Sequence, residues 1–205
     1  MRSKKLPRSF YLRPTLTVAK DLLGKYLIRK ISNKFLIGKI VEVEAYLGKT
    51  DPASHAYRGK TKRNEVMFGQ GGHLYVYFTY GMHFCANVVT EEEGKGCAVL
   101  LRGVEPIKGV EVMMKNRGIT WIDGVMDKWS DGKLLNLTNG PAKLCEAFNI
   151  KREQNGTDLL QDKIYIAKGE SHPRFQIGSS ARIGITNATD KKWRFFIKDN
   201  SYVSR

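Results

Sequence analysis

The stretch LYVYFTYGMHFCANVV, Leu74 to Val89, constrains this chain more than any other. Two runs of β-branched and aromatic residues flank Tyr80, Gly81 and Met82. Such runs around a glycine read as a strand, a tight turn and an antiparallel strand. Alternation puts Tyr75, Tyr77 and Thr79 on one face of the first strand and Leu74, Val76, Phe78 and Tyr80 on the other. The second face suits a core. Tyr80 falls at the turn, where its ring either folds back onto the domain or stands out as a wedge. Proteins that distort DNA insert such side chains between bases.

The surroundings of this uncharged stretch are strongly basic. The chain has 35 Lys and Arg against 20 Asp and Glu, a net charge of +15 over 205 residues. That length suggests one domain, and the surplus points to a polyanionic partner, DNA, RNA or an acidic membrane surface. No run of 18 apolar residues exists, so no membrane span is expected. The basic start, residues 1–13, reads as a loose arm, with a phosphate-contacting arm as the sharper alternative. Cys85, Cys97 and Cys145 are widely spaced and form no CxxC. Buried thiols in a reducing compartment are expected, hence a cytoplasmic location, or a nuclear one if the source has a nucleus.

Along the chain, RPTLTVAKDLLG reads as a helix closed by Gly24, and YLIRKI and FLIGKIVEVEAYL as strands. CAVLLRGV is a further strand. Glu105 and Pro106 are expected to open a helix through Lys115, and Pro141 to open another after Asn139 or Gly140. KIYIA, ARIGI and WRFFIK are short strand candidates. Strands follow strands more often than they alternate with helices, which predicts an α+β domain with a mainly antiparallel sheet.

Several chemistries fail on spacing. The two GKT triplets lack the glycine five residues earlier that a phosphate loop needs. GQGGH precedes a strand, whereas a dinucleotide fingerprint follows one. His55, His73, His83 and His172 show no metal-binding spacing, so neither metal nor cofactor is expected. KIVEVEAYL is more informative. Ile40, Glu42, Glu44 and Tyr46 share one strand face, and Val41, Val43, Ala45 and Leu47 the other. The carboxylate face is either a solvated outer surface or a catalytic carboxylate beneath an aromatic platform. The following loop favours the second. It holds His55 and then Arg58, Lys60, Lys62 and Arg63, cations suited to phosphates around a site. Tyr46 and Tyr77 would wall a base-sized slot.

VEVEAYLG, HAYRG, RNEVMF, LYVYFTYGMHFCANVV, AVLLRGVEP, NGPAKLC and ARIGI together resemble the alkyladenine (3-methyladenine) DNA glycosylases of the mammalian type, from about Leu16 to Val203. The resemblance implies a single α+β domain on a curved antiparallel sheet with a protruding, DNA-intercalating hairpin. It implies a monofunctional glycosylase that flips an alkylated or deaminated purine out of duplex DNA and hydrolyses its N-glycosidic bond. The purines are of the 3-methyladenine, 7-methylguanine, hypoxanthine and ethenoadenine class. Carried over by residue, Glu44 is similar to the water-activating carboxylate and Arg102 to a residue that holds that water. The main-chain carbonyl near Ile183 is its expected third partner. Tyr46, His55 and Tyr77 resemble the base pocket, and Asn87 the gate against the exocyclic amine of guanine. Tyr80 resembles the wedge, flanked by Met82 and His83, with His83 standing where mammalian members are expected to hold an aromatic. The loop around Tyr57 differs from those members. Damaged double-stranded DNA is the implied partner and a monomer the expected state. A non-catalytic nucleic-acid-binding module is the alternative, and a bifunctional glycosylase/lyase, which needs a lysine nucleophile, a third possibility.

Overall fold

The computed structural model describes residues 4–119, 134–169 and 175–204. His172 and the first three residues therefore lie outside the described residues. Among the described residues, eight strands form one antiparallel sheet with a few short helices, an α+β domain as expected. The helices described in full include α1 (Arg8–Tyr11), α2 (Thr15–Leu22), α3 (Val110–Asn116) and α4 (Pro141–Ala147). The strands are β1 (Tyr26–Ile31), β2 (Lys34–Leu47), β3 (Leu74–Thr79), β4 (His83–Thr90), β5 (Cys97–Lys108), β6 (Ile164–Ala167), β7 (Ile177–Ser180) and β8 (Arg194–Ile197). The curved sheet runs β3-β4-β5-β2-β1-β6, and β8 pairs with both β2 and β7.

The main core covers one face. Val41, Val43 and Ala45 of β2 pack there with Leu74, Val76, Val88, Val99 and Leu101, and α2 and α4 contribute Val18, Leu22 and Leu144. A second, smaller cluster of Ala56, Met67, Phe68, Tyr75, Val89 and Ala98 lies apart from it. It packs the loop after β2 onto the opposite face. No helix among the described residues is long and apolar enough to cross a membrane.

Three sequence expectations need correction. Residues 5–13 are not a loose arm: Leu6 and Tyr11 are buried, Leu6 N–H donates to the Ile166 carbonyl, and Arg8 pairs with Asp158 at 2.8 Å. Backbone pairing at Lys5 and Leu6 holds this segment to β6, and the Tyr11 carbonyl accepts from the Glu91 amide. The helix expected from Glu105 starts only at Val110, after Gly109, because β5 continues to Lys108. Pro106 is tolerated there since it sits opposite Gly38 at a register shift. ARIGI is a loop, and the strand before it is Ile177–Ser180. Of the two readings left open for the carboxylate face of β2, the solvated surface is excluded. Glu42 and Glu44 are both 0 % exposed, because Arg102, Arg194 of β8 and Ser204 pack onto Glu42, and Tyr46, Arg102 and the Ile183 amide onto Glu44.

Candidate active site

The second sheet face is assembled by register. Tyr75 pairs with Asn87, Asn87 with Leu100, Leu100 with Glu44 and Glu44 with Arg194. Directly paired residues share a face, so this row crosses β3, β4, β5, β2 and β8. One alternation step along the strands adds Tyr77, Cys85, Arg102 and Tyr46. Arg102 sits at a slip of register. Glu42 faces Gly103 while Val43 faces Leu101, which leaves Arg102 as the extra residue of β5. Bulges of this kind re-aim side chains. Gly103 is required there, since a Cβ would come within 2.8 Å of the Tyr202 carbonyl.

The two glutamates are held differently. Glu42 accepts from Arg102 Nε at 3.1 Å, Arg194 Nε at 2.7 Å, and the Ser204 amide and hydroxyl, both at 2.7 Å. Its lone pairs are spent on structure. Glu44 accepts from the Tyr46 hydroxyl at 2.8 Å and the Ile183 amide at 2.8 Å, with Arg102 Nη1 at 3.3 Å. Ile183 thus contacts Glu44 itself through its main-chain N–H. Burial and the neighbouring Glu44 charge raise the Tyr46 phenol strongly, so it stays protonated and donates.

A cleft of about 610 Å³ opens over these groups. Its size falls within the roughly 300–1,000 Å³ usual for small-molecule sites. Tyr46, His55, Tyr77, Asn87, Arg102 and Ile183 all line it, and Tyr80 reaches its rim. Tyr75 and Tyr77 stack with centroids 5.5 Å apart, and His55 meets Tyr77 edge-on at 4.5 Å. His55 Nδ1 lies 3.1 Å from the Tyr75 hydroxyl. Loss of solvent and the nearby Arg63 both lower the His55 pKa, which keeps the imidazole neutral at neutral pH. Burial pushes Tyr75 up to about 12 and also raises Tyr77 and the Cys85 thiol. Asn87 is buried and donates to the Tyr75 carbonyl at 3.3 Å. Asn64 braces the His55 loop by donating to the His55 and Gly59 carbonyls at 2.8 and 3.0 Å.

The turn between β3 and β4 carries the other residues. Met82 N–H donates to the Thr79 carbonyl, with Tyr80 and Gly81 both at positive φ, 51° and 69°. Tyr80 is 83 % exposed and Met82 68 %. Tyr80 does not fold back. His83 turns towards Glu146 of α4, its Nδ1 3.4 Å from the carboxylate.

Sequence reasoning passed over Arg182 and Asp51. Arg182 is buried and forks onto Asp51, with Nη1 to Oδ2 at 2.5 Å and Nη2 to Oδ1 at 2.8 Å. ARIGI is no strand for this reason: its arginine turns inwards, and the next amide goes to Glu44. Asp51 was visible only as the first residue of the loop that holds His55.

A buried carboxylate under an aromatic cleft, on a basic α+β domain, is an arrangement suited to chemistry on a flat ring of a polyanion. The particular family follows from comparison. The family model for methylpurine-DNA glycosylase matches residues 9–201. A relative from Carboxydothermus hydrogenoformans is 51 % identical over 201 residues, 98 % of each chain. Another, from Clostridium acetobutylicum, is 47 % identical over 204 residues, 98 % of this chain and 97 % of its own. Both are named as 3-methyladenine DNA glycosylases. The chain belongs to the methylpurine-DNA glycosylase family and is a DNA glycosylase, a hydrolase of DNA repair.

Proposed function

We propose that this enzyme flips alkylated or deaminated purines out of duplex DNA and hydrolyses their N-glycosidic bond with a water activated by Glu44, leaving an abasic site. The observation that carries this reading is the setting of Glu44. Its carboxylate is buried, yet the groups that touch it, Tyr46, Arg102 and the Ile183 main chain, line the cleft.

Breaking a glycosidic bond develops positive charge on the sugar. The ionised Glu44 stabilises that charge and takes the proton of the attacking water. Arg102 places its guanidinium 3.3 Å from this carboxylate and so helps to orient it. Tyr46, Tyr77 and His55 form the base-binding walls, and aromatic faces attract purines that already carry charge. Asn87 acts as the gate against an exocyclic amine. Tyr80 fills the vacated place in the stack, with Met82 and His83 flanking it. Damaged and mismatched bases cost less to extrude, which adds selectivity. The enzyme is monofunctional and acts as a monomer.

The test is single-turnover cleavage of a duplex carrying one hypoxanthine or ethenoadenine, with alkali to break the abasic site. Wild type should yield strand breaks, and Glu44→Gln none while still binding the duplex. If neither protein cuts these duplexes, alkylated genomic DNA is the next substrate, and failure there sinks the reading. Equal cutting by Glu44→Gln would refute the role of Glu44. Trapping by borohydride would refute a purely hydrolytic step.

A further inference from the structure

We infer that the buried Arg182–Asp51 pair is the positioning clamp of the active site: it locks Tyr46, the Ile183 amide and the His55 loop into one geometry. The inference rests on the Glu44-centred reading above and adds residues to it.

The pair reaches the site from three directions. Arg182 Nη1 also donates to the Ala45 carbonyl at 2.9 Å, fixing the β2 backbone between Glu44 and Tyr46. The guanidinium lies over the Tyr46 ring, 4.6 Å from its centroid, and 5.1 Å from that of Trp193. Arg182 is the residue before Ile183, so seating its side chain also seats the amide that donates to Glu44. From the other end, Asp51 accepts from the Leu47 and Ala53 amides at 3.2 and 3.1 Å. These bonds shape the turn that leads into His55.

A purely stabilising role explains this arrangement poorly. A buried ion pair often adds little net stability over an apolar pair of similar volume. What a planar guanidinium supplies is a fixed fork plus a flat stacking surface. Here one arm of the fork serves both the carboxylate and the Ala45 carbonyl, and the flat face meets Tyr46. The clamp holds the donors of Glu44 without touching substrate, so both residues are positioning residues.

Arg182→Lys and Asp51→Asn test this by single-turnover excision at saturating enzyme, each alone and combined with Tyr46→Phe. Lysine keeps a buried cation opposite Asp51 but loses the fork and the stack, so the inference stands or falls on that variant. We expect its rate constant to fall about 100-fold, as for small misplacements of a catalytic group, with binding to a duplex bearing a stable abasic-site analogue kept within about twofold. The loss should combine with Tyr46→Phe to less than the product of the two. A role in folding alone would lower the melting temperature and the reactive fraction while leaving the rate constant of the folded molecules unchanged, and that result overturns the inference. Glu44→Gln is run alongside. If it is inactive while Arg182→Lys is fully active, the clamp alone is refuted. If it stays active, the reading beneath is refuted with it.

Discussion

Tyr46 and Glu44 stand two residues apart on β2 and are joined by their own side chains, the phenol donating to Glu44 Oε2 at 2.8 Å. Because burial and the Glu44 charge raise the phenol strongly, this donor does not titrate in the working range. Tyr46→Phe keeps the aromatic wall and removes only the donor. Hydrogen bonds to charged groups are worth about 1.5–3 kcal/mol, so the excision rate should fall about tenfold or more. Single-turnover kinetics on a lesion duplex measure it. An unchanged rate would mean that the hydroxyl merely fills space.

Glu42 gives the opposite contrast. Two arginines and the Ser204 amide and hydroxyl converge on it. Removing one member of a buried charged set typically costs about 3–5 kcal/mol. Glu42→Gln should therefore lower the melting temperature sharply, whereas Glu44→Gln should lower it less. Thermal unfolding of both variants decides the assignment. If Glu44→Gln proves the more damaging to stability, the division of roles between the two carboxylates is reversed.

The division was only half legible in the sequence. Alternation put Glu42, Glu44 and Tyr46 on one face, and the tyrosine-rich strand announced itself by composition. Alternation could not say that this face would be covered, because the cover comes from β8 and from Ser204, 162 positions away from Glu42. Nor could it separate a glutamate with saturated lone pairs from one held by groups that line a cleft. The bulge at Arg102 and the Asp51–Arg182 pair, 131 positions apart, are products of tertiary packing with no local signature. The short strand read into ARIGI failed for the same reason. Its amide and arginine are claimed by distant carboxylates, and a propensity argument sees only neighbours.

His55 makes stability depend on pH in a definite direction. Its folded pKa lies below the ordinary value of 6.5, first from loss of solvent and then from Arg63. The unfolded chain therefore binds a proton that the folded chain resists. The contribution is complete above pH ~6.5 and is lost as pH falls from there through the folded pKa. His55→Gln should flatten the pH dependence of the melting temperature in that window. Since the ring is exposed on one side, solvent screening keeps the effect small. A steeper dependence in the variant would show that other groups dominate.

Tyr80 pairs a strained backbone with an unpacked side chain. It holds φ at 51° and is 83 % exposed, so its fold stability is better served by glycine. The left-handed region costs a bulky residue about 1–2 kcal/mol. Tyr80→Gly should leave the melting temperature unchanged or raise it. If Tyr80 is the wedge, the same variant loses stacking worth about 1–3 kcal/mol, roughly a tenfold weaker grip on an abasic duplex. Opposite signs on folding and on binding are what a side chain kept for DNA predicts. A fall in melting temperature with unchanged DNA affinity would instead make Tyr80 a structural residue of the turn. Calorimetry and fluorescence anisotropy on one preparation read both quantities.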